Sequence, residues 1–337
     1  MEISITNKIK KWFVYDQGNN LHKKVIENIR DIVHRLKNLA DTNYRLGLHH
    51  SRLHNLADAT LRFRIVLRLN PNHVGALYNL AKCLFIKNKK EQALKYLNKA
   101  LEIDPSCQEA QYLLAIIANK STPKAIPVSV IEEYFDNCAS RYDQEFHINN
   151  GYLAPSRLIT LLCDHLQPRA SYSVIDIGCG TGQCGFYFVN KIPTLELYGI
   201  DISKQMLEIA SRILEKNEPI YKKLIHNDYR EFLAQTKIHP DIILAGLCLH
   251  YEDALAQNLK KMSAVLNKNG YIAFSVEKSE KQQLDFSLNP TLENFCYSEN
   301  FVKKEIKKSG LHLVKLTESQ IKNDRVAFLC ICTKPHS

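Results

Sequence analysis

The stretch Ser173-Val-Ile-Asp-Ile-Gly-Cys-Gly-Thr-Gly182 decides the fold of the C-terminal half of the chain. A β-rich apolar run opens it, and three alternate glycines follow directly: Gly178, Gly180 and Gly182. Glycine permits the backbone angles of a sharp turn and lets a ligand approach the main chain closely. Asp176 stands two residues before the first of these glycines, so the pattern is D-x-G-x-G-x-G. It predicts a strand, a ligand-binding turn and a helix.

Outward from this stretch, β-rich runs alternate with helical ones. Seven strands are predicted from the runs SVIDIG, LELYGID, KKLIHND, DIILAGL, YIAFSVE, LHLVKL and VAFLCICT. Alternation with helices predicts a parallel sheet covered on both faces, with right-handed crossovers. The segment from Thr317 to Arg325 is too short for a helical crossover, so the last strand is expected to enter antiparallel.

A carboxylate ends the second strand, in Leu197-Tyr-Gly-Ile-Asp201, about twenty residues after the glycines. Such a carboxylate is well placed to accept hydrogen bonds from both ribose hydroxyls, which predicts an adenosine site. The run from Gly180 to Gly185 also fits the dinucleotide fingerprint G-x-G-x-x-G. That fingerprint should begin at the glycine closing the first strand, Gly178, and in that register Gln183 replaces the third glycine.

The D-x-G-x-G-x-G pattern resembles that of the class I S-adenosylmethionine-dependent methyltransferases, and the resemblance extends from about Val130 to Lys334. It implies a Rossmann-like domain that binds S-adenosylmethionine through the glycine loop. Asp201 would bind the ribose, and Ile202 and Met206 would pack on the adenine. The resemblance further implies the following contacts: Asp228 to the adenine amino group, the Tyr229 backbone to the adenine ring, and Leu247 to the methionine moiety.

The helix before the first strand, around Ile131 to Asp143, resembles the N-terminal helices of bacterial methyltransferases that carry tetratricopeptide repeats. In related enzymes this helix covers the cofactor. The resemblance makes Tyr142 a candidate contact to the cofactor carboxylate, with a core aromatic as the alternative.

The chemistry needs few catalytic groups, because a sulfonium leaving group is already activated and the protein mainly aligns the acceptor. An acceptor that must lose a proton needs a base, and the end of the fourth strand offers Cys248, His250, Tyr251 and Asp253. His250 is the preferred candidate because its ordinary pKa lies near 6.5, with Tyr251 beside it. The alternative is a histidine that shapes the acceptor pocket or caps the next helix. The strand ends in Ala-Gly-Leu-Cys248 rather than Asn/Asp-Pro-Pro-Tyr, which disfavours DNA-base methylation.

The N-terminal half repeats itself at an offset of 34 residues, which is the tetratricopeptide period. The pairs are Gly47/Ala81, Ala59/Ala93, Phe63/Leu97, Leu67/Leu101 and Pro71/Pro105. Residues 74–107 resemble the tetratricopeptide family closely and 40–73 more weakly, because Asn43 stands where a large apolar residue is usual. We expect the first helix to pack less well for that reason.

These repeats predict an α-helical solenoid over residues 1–120, closed by a capping helix at 108–120 and preceded by a helix within Leu21 to Leu39. A linker at 121–129 and the methyltransferase domain at 130–337 follow. The repeats are expected either to hold a protein or peptide partner or to serve as a structural or dimerisation module.

Composition narrows the class of protein further. The first 120 residues hold 20 Lys and Arg against 10 Asp and Glu, whereas the rest holds 25 of each. The ten cysteines and the absence of an apolar leader predict a cytoplasmic protein, and no apolar run is long enough for a transmembrane helix. The cysteine pairs and the histidines at 49, 50 and 54 lack metal-ligand spacing, so no metal is expected. The leading hypothesis is an enzyme, and the opposing one is an interaction protein that binds the cofactor without turnover.

Overall fold

The computed structural model describes residues 38–53, 55–118, 125–144, 153–251, 254–279, 286–289, 294–322 and 325–335. The chain forms two compact units, Met1–Ile117 and Ala118–Ser337. Some predictions lie outside the described residues. They are most of the helix expected within Leu21 to Leu39, part of the linker and Asp253.

The N-terminal unit is built of helices: α1 (38–52), α2 (Leu56–Leu69), α3 (Val74–Ile86), α4 (Lys90–Ile103) and α5 (Gln108–Ala118). Polar caps define where these helices begin. Asn55 accepts a hydrogen bond from the Asp58 amide at the start of α2, and the His73 ring accepts one from the Ala76 amide at the start of α3. The predicted helical solenoid of the tetratricopeptide type is confirmed.

Two positions in the first repeat show how its helices fit together. A Cβ on Gly47 would lie 2.6 Å from the Phe63 ring, so only a residue without a side chain allows this helix crossing. Asn43 is buried, yet its amide donates to the Leu39 carbonyl at 2.8 Å and accepts from Arg62 at 3.0 Å. The polar residue is therefore accommodated by hydrogen bonds where a large apolar residue is usual.

The C-terminal unit is built on a seven-stranded sheet. Its strands are β1 (Tyr172–Ile177), β2 (Thr194–Asp201), β5 (Lys223–His226), β6 (Ile242–Gly246), β7 (Tyr271–Glu277), β10 (His312–Lys322) and β11 (Arg325–Thr333). Their order is β10-β11-β7-β6-β1-β2-β5. The pairs from β7 to β5 are parallel, and β11 is antiparallel to both of its neighbours. The predicted Rossmann-like sheet with an antiparallel last strand is confirmed.

Two short ribbons lie outside the main sheet and were not predicted. One pairs β3 (Leu214–Glu215) with β4 (Glu218–Pro219), and the other pairs β8 (Phe286–Asn289) with β9 (Asn294–Tyr297). Their sequences carry no sustained alternation of apolar and polar residues, which is the signal that identifies a strand.

The helices of this unit are α6 (Val128–Tyr142), α7 (Ala154–Cys163), α8 (Gln183–Val189), α9 (Lys204–Ala210), α10 (Tyr229–Gln235), α11 (Leu255–Val265) and α12 (Glu299–Lys308). Apolar side chains from α7, α8 and the strands form a common core, in which Leu158, Phe188 and Leu244 are fully buried. Burial of such side chains is the main driving force for this fold. Within the described ranges, no helix combines the length and apolarity that a bilayer crossing requires.

Candidate active site

A cavity of about 810 Å³, open to solvent, lies at the carboxyl ends of β1, β2, β5 and β6. Its position is the usual ligand position in an open α/β sheet. Nine of the eleven residues predicted to bind the cofactor line it. These nine are Tyr142, Gly178, Gly180, Asp201, Ile202, Met206, Asp228, Tyr229 and Leu247.

The glycine loop after β1 forms one wall of the cavity. Gly178, Gly180 and Gly182 have φ angles of 58°, 54° and 89°, which other residues rarely adopt. A Cβ on Gly178 would lie 2.4 Å from the Cβ of Cys248, whereas one on Gly180 would meet no atom within 4 Å. Gly178 therefore lets two strand ends approach each other, and Gly180 leaves its backbone open to a ligand.

Asp176 lies behind this loop and does not line the cavity. One oxygen of its buried carboxylate accepts hydrogen bonds from the Gly185 amide at 3.2 Å and from the Tyr221 hydroxyl at 2.7 Å. The other oxygen, Oδ1, is buried and has no hydrogen-bond partner among the residues that the structure describes. Burial raises the pKa of Asp176 to about 7. Gly182 is also outside the lining, because it packs against Ile213.

Asp201, at the end of β2, is the buried carboxylate of the cavity wall. Its Oδ2 accepts a hydrogen bond from the Gly180 amide and its Oδ1 one from the Ser203 amide, each at 2.8 Å. Burial nevertheless raises the pKa of Asp201 to about 6, against the effect of these two backbone bonds. A carboxylate oxygen can accept more than one hydrogen bond, so both oxygens retain capacity for a ligand.

Asp228, at the turn after β5, has a different environment. Its two oxygens accept hydrogen bonds from Nε of Arg230 at 2.9 and 3.1 Å, and Oδ1 also accepts one from the Arg230 amide at 2.8 Å. Partial burial opposes ionisation, but the Arg230 guanidinium holds the pKa of Asp228 below its ordinary value. Arg230 itself lines the cavity and was not predicted from the sequence.

Helix α6 covers the cavity and is fastened to the loops beneath it. Asp136 accepts a hydrogen bond from the Ser203 hydroxyl at 2.7 Å, and Asp143 accepts one from the Thr181 hydroxyl at 2.7 Å. Three lining residues of this helix were not predicted as site residues: Val128, Ile131 and Phe135. The signal was available, because positions 131, 135 and 142 are spaced to lie on one face of a helix.

The end of β6 forms the opposite wall. Leu247 has a φ angle of 52°, an uncommon value for a branched residue, and its amide donates to the Ser275 hydroxyl at 3.0 Å. The Cys248 thiol donates to the Ile177 carbonyl at 3.1 Å, and burial raises the pKa of Cys248 well above its ordinary value. Tyr251 also lines the cavity, and burial raises its pKa.

The structure corrects the predicted position of His250, which is absent from the described lining of the cavity. Its side chain is 5% exposed and lies behind Tyr251, with ring centroids 4.6 Å apart. Burial lowers the pKa of His250 to about 4, and its Nδ1 has no hydrogen-bond partner. Of these two adjacent residues, Tyr251 lines the cavity and His250 does not. The predicted base thus lacks contact with the cavity.

The described residues hold no group of three His, Cys, Asp or Glu side chains that could ligate a metal.

Comparisons with known proteins agree with this geometry. Residues 168–324 match a family model described as a methyltransferase domain, and residues 74–107 match one described as a tetratricopeptide repeat. Among solved structures, the [4+2]-cyclase SpnF superposes with a TM-score of 0.53 at 13% identity. This match covers 64% of this chain and 100% of that chain. At such low identity the likeness shows the fold alone, and SpnF illustrates that the fold does not fix the reaction.

Two curated relatives are similar over part of the chain. A malonyl-[acyl-carrier protein] O-methyltransferase of Halalkalibacterium halodurans is 27% identical over 158 residues, which are 44% of this chain and 55% of the relative. A trans-aconitate 2-methyltransferase of Pseudomonas aeruginosa is 29% identical over 143 residues, which are 41% of this chain and 50% of the relative. The chain thus spans about half the length of these relatives.

The fold and the glycine loop of the C-terminal unit thus accompany a match to a methyltransferase-domain family model over residues 168–324 of this domain. The chain combines this domain with an N-terminal tetratricopeptide repeat.

Proposed function

We propose that the chain is an S-adenosylmethionine-dependent methyltransferase that acts on a carboxylate. The use of S-adenosylmethionine is supported by one observation. A single cavity brings together the open backbone of Gly180 and the carboxylates of Asp201 and Asp228. When bound, the cofactor supplies a methyl group on a sulfonium, and the protein supplies binding, orientation and exclusion of water.

The residues present fit this cofactor. Among the described residues, no atom lies within 4 Å of a Cβ built on Gly180, so the main chain there is open to the methionine moiety. The Asp201 carboxylate has capacity for both ribose hydroxyls, and Asp228 and the Tyr229 amide are suited to the adenine edge.

The acceptor side favours a group that is already ionised. Among the described lining residues, burial raises the pKa values of Cys248 and Tyr251, so neither serves as a base near neutral pH. His250 lies behind Tyr251 and does not reach an acceptor. A carboxylate needs no base because it is ionised at neutral pH. The two relatives described above are named for methyl transfer to a malonyl group and to trans-aconitate, which supports the same choice.

The tetratricopeptide repeat supports a second element of the proposal, namely a protein or peptide partner that carries or orients the acceptor. Tetratricopeptide solenoids present extended surfaces to such partners. The alternative is an interaction protein whose methyltransferase domain binds the cofactor without turnover.

All ten cysteines are free thiols, which supports the cytoplasmic location expected from the sequence.

The test incubates the full chain with methyl-labelled cofactor and a fractionated cell lysate, and adds trans-aconitate and a malonyl thioester as defined probes. Transfer to a carboxylate produces a methyl ester, which alkali hydrolyses to labelled, volatile methanol. Label that resists alkali would refute the carboxylate acceptor. Cofactor binding in calorimetry with no labelling of any fraction would favour the interaction protein, and no binding would refute the cofactor assignment.

The contribution of the repeats is measured with a second chain that begins at Ser121. Labelled protein that disappears with this truncation would support recruitment by the repeats. Undiminished labelling of a small molecule would instead assign the repeats a structural role.

A further inference from the structure

Helices α11 and α12 together expose an excess of lysine on one side. The two helices pack against each other, and each buries one side of its surface. Leu259 and Met262 are among the buried residues of α11, and Val302 and Ile306 among those of α12. Six lysines on the other sides are exposed. We call them the lysine face, and they are Lys260 and Lys261 of α11, and Lys303, Lys304, Lys307 and Lys308 of α12.

The lysine face concentrates positive charge in a part of the chain that is otherwise balanced. Residues 121–337 hold 25 Lys and Arg against 25 Asp and Glu. In contrast, α11 contains no Asp or Glu, and α12 contains two glutamates. Glu299 pairs with Lys303 at 2.6 Å, and Glu305 pairs with Lys308 at 2.5 Å. Within the described ranges, no ion pair involves the other four lysines, so their ammonium groups are available to an outside anion.

The stability of the helices does not explain all of these lysines. The dipole of a helix stabilises cations near its C-terminus, which accounts for Lys307 and Lys308 in the last turn of α12. Lys260 and Lys261 lie in the middle of α11, where the helix dipole has little effect. In addition, like charges four residues apart, such as Lys304 and Lys308, destabilise a helix. An anionic partner would neutralise this repulsion.

The composition of the lysine face favours an acidic protein over other polyanions. The exposed residues of α11 and α12 include no arginine and no aromatic residue, which are the side chains that clamp phosphates and stack on bases. They include no large apolar residue either, although a helix that binds a lipid surface inserts such residues. On α12, Lys303 and Lys307 are about one helical turn apart, which matches carboxylates at the same spacing on another helix.

The lysine face extends to the surroundings of the cofactor cavity. Burial opposes the ionisation of Asp228 in the cavity wall, and the contacts with Arg230 outweigh burial. Lys261 adds to this lowering of the Asp228 pKa, so its ammonium group lies within electrostatic reach of that carboxylate. A protein bound to the lysine face would therefore lie beside the cavity.

We propose that the lysine face is a docking surface for an acidic protein that presents the methyl acceptor, and that this protein binds through a helix with carboxylates one turn apart. The role of this partner rests on the proposed function. The methyltransferase unit thus has a docking surface of its own, in addition to the repeats. Because the contacts are between exposed charges, the affinity should weaken as the salt concentration rises.

The test measures binding of a defined probe to the full chain by fluorescence anisotropy at pH 7.5. The probe is an alanine-rich helical peptide of about 20 residues with six glutamates on one face. Lys260→Glu and Lys304→Glu together should weaken its binding about tenfold, because two attractions become repulsions. The matched control is Lys216→Glu with Lys223→Glu, which changes the net charge equally at exposed lysines outside α11 and α12 and should bind like the unmodified chain.

Three results would overturn the inference. An equal loss in both double variants would mean that net charge, and not the lysine face, binds the peptide. Equal affinity for an isomeric peptide with the glutamates spread around the helix would exclude recognition of their spacing. The third result uses an RNA oligonucleotide and vesicles of phosphatidylglycerol. If either binds more tightly than the peptide and loses its binding only in the Lys260→Glu and Lys304→Glu variant, the lysine face serves another polyanion.

Methyl transfer tests whether the docked protein presents the acceptor. In the labelling experiment above, Lys260→Glu with Lys304→Glu should reduce labelled protein about tenfold. Unchanged protein labelling would refute that role. The same variant should keep its affinity for S-adenosylhomocysteine, because neither lysine lines the cavity, and this affinity also shows that it is folded. If the unmodified chain binds no S-adenosylhomocysteine, the proposed function fails, whereas the peptide result still decides whether the lysine face binds an acidic helix.

Discussion

The ends of β2 and β5 present two aspartates to the same cavity, and the environments of these aspartates shift their pKa values in opposite directions. Asp201 is buried and held by two backbone amides, and its pKa rises to about 6. Asp228 is partly exposed and held by the Arg230 guanidinium, and its pKa falls below the ordinary value. The comparison shows that two residues of the same type, at equivalent strand ends, can differ in pKa because their surroundings differ. The buried carboxylate should dominate binding and its pH dependence.

Removal of the buried Asp201 carboxylate should have the largest effect on ligand affinity. In Asp201→Ala the affinity for S-adenosylhomocysteine should fall about 100-fold, because two charge-assisted hydrogen bonds to the ribose are lost together. Calorimetry at pH 7.5 measures the change, with the exposed Asp164→Ala as control. Unchanged affinity in Asp201→Ala would remove Asp201 from the cofactor site.

A change of pH addresses the same aspartate without a substitution. Because only the ionised carboxylate accepts both ribose bonds, affinity should be full above about pH 7, half of that near pH 6, and about tenfold lower at pH 5 than at pH 7. Asp228 stays ionised over this range because its pKa is lowered. Titrations of the unmodified chain and of Asp201→Asn check this, and the variant should show weak affinity that is independent of pH. An equal slope in both proteins would contradict the assignment.

Asp176 extends the comparison to a carboxylate outside the cavity lining. Its raised pKa means that the folded chain binds a proton that the unfolded chain has released, so stability falls as pH rises from about 4 to about 7. Between pH 5 and pH 7, the free energy of unfolding of the unmodified chain should fall by about 2 kcal/mol more than that of Asp176→Asn. Denaturant unfolding at pH 5 and pH 7 measures the difference. Parallel pH profiles would show that Asp176 titrates normally.

Substitution of Arg230, which contacts Asp228 at the end of β5, should have the smallest effect on ligand affinity. In Arg230→Gln the pKa of Asp228 should rise and the affinity for S-adenosylhomocysteine should fall about threefold at pH 7.5, because the carboxylate loses the group that orients it. Lys261→Gln is the matched control, since Lys261 is an exposed cation near Asp228 but does not line the cavity. A larger loss with Lys261→Gln would mean that long-range charge, and not the Arg230 contact, supports Asp228.

The sequence was sufficient to predict those parts of the fold and site that depend on residues close together in the chain. The alternate glycines after a strand and the carboxylate that ends the next strand predicted the loop and the position of Asp201 in the cavity wall. The sequence was insufficient to predict contacts between segments that are far apart in the chain or side-chain directions that packing determines. Asp176 depends on Tyr221, 45 residues away, and Asp228 depends on a guanidinium whose direction no local pattern specifies. His250 shows the same limit, since the choice of which adjacent side chain faces the cavity is made by packing.

Helix α6 has a consequence for how long a ligand stays in the cavity. Asp136 and Asp143 are seven residues apart, which is about two helical turns, so both fastenings lie on the same face of one helix. A helix held at two points on one face cannot uncover half of the cavity and keep the other half closed without breaking its own backbone hydrogen bonds. Withdrawal of α6 from the cavity therefore requires both hydrogen bonds to open in a single event, which should slow the loss of any ligand that lies beneath this helix.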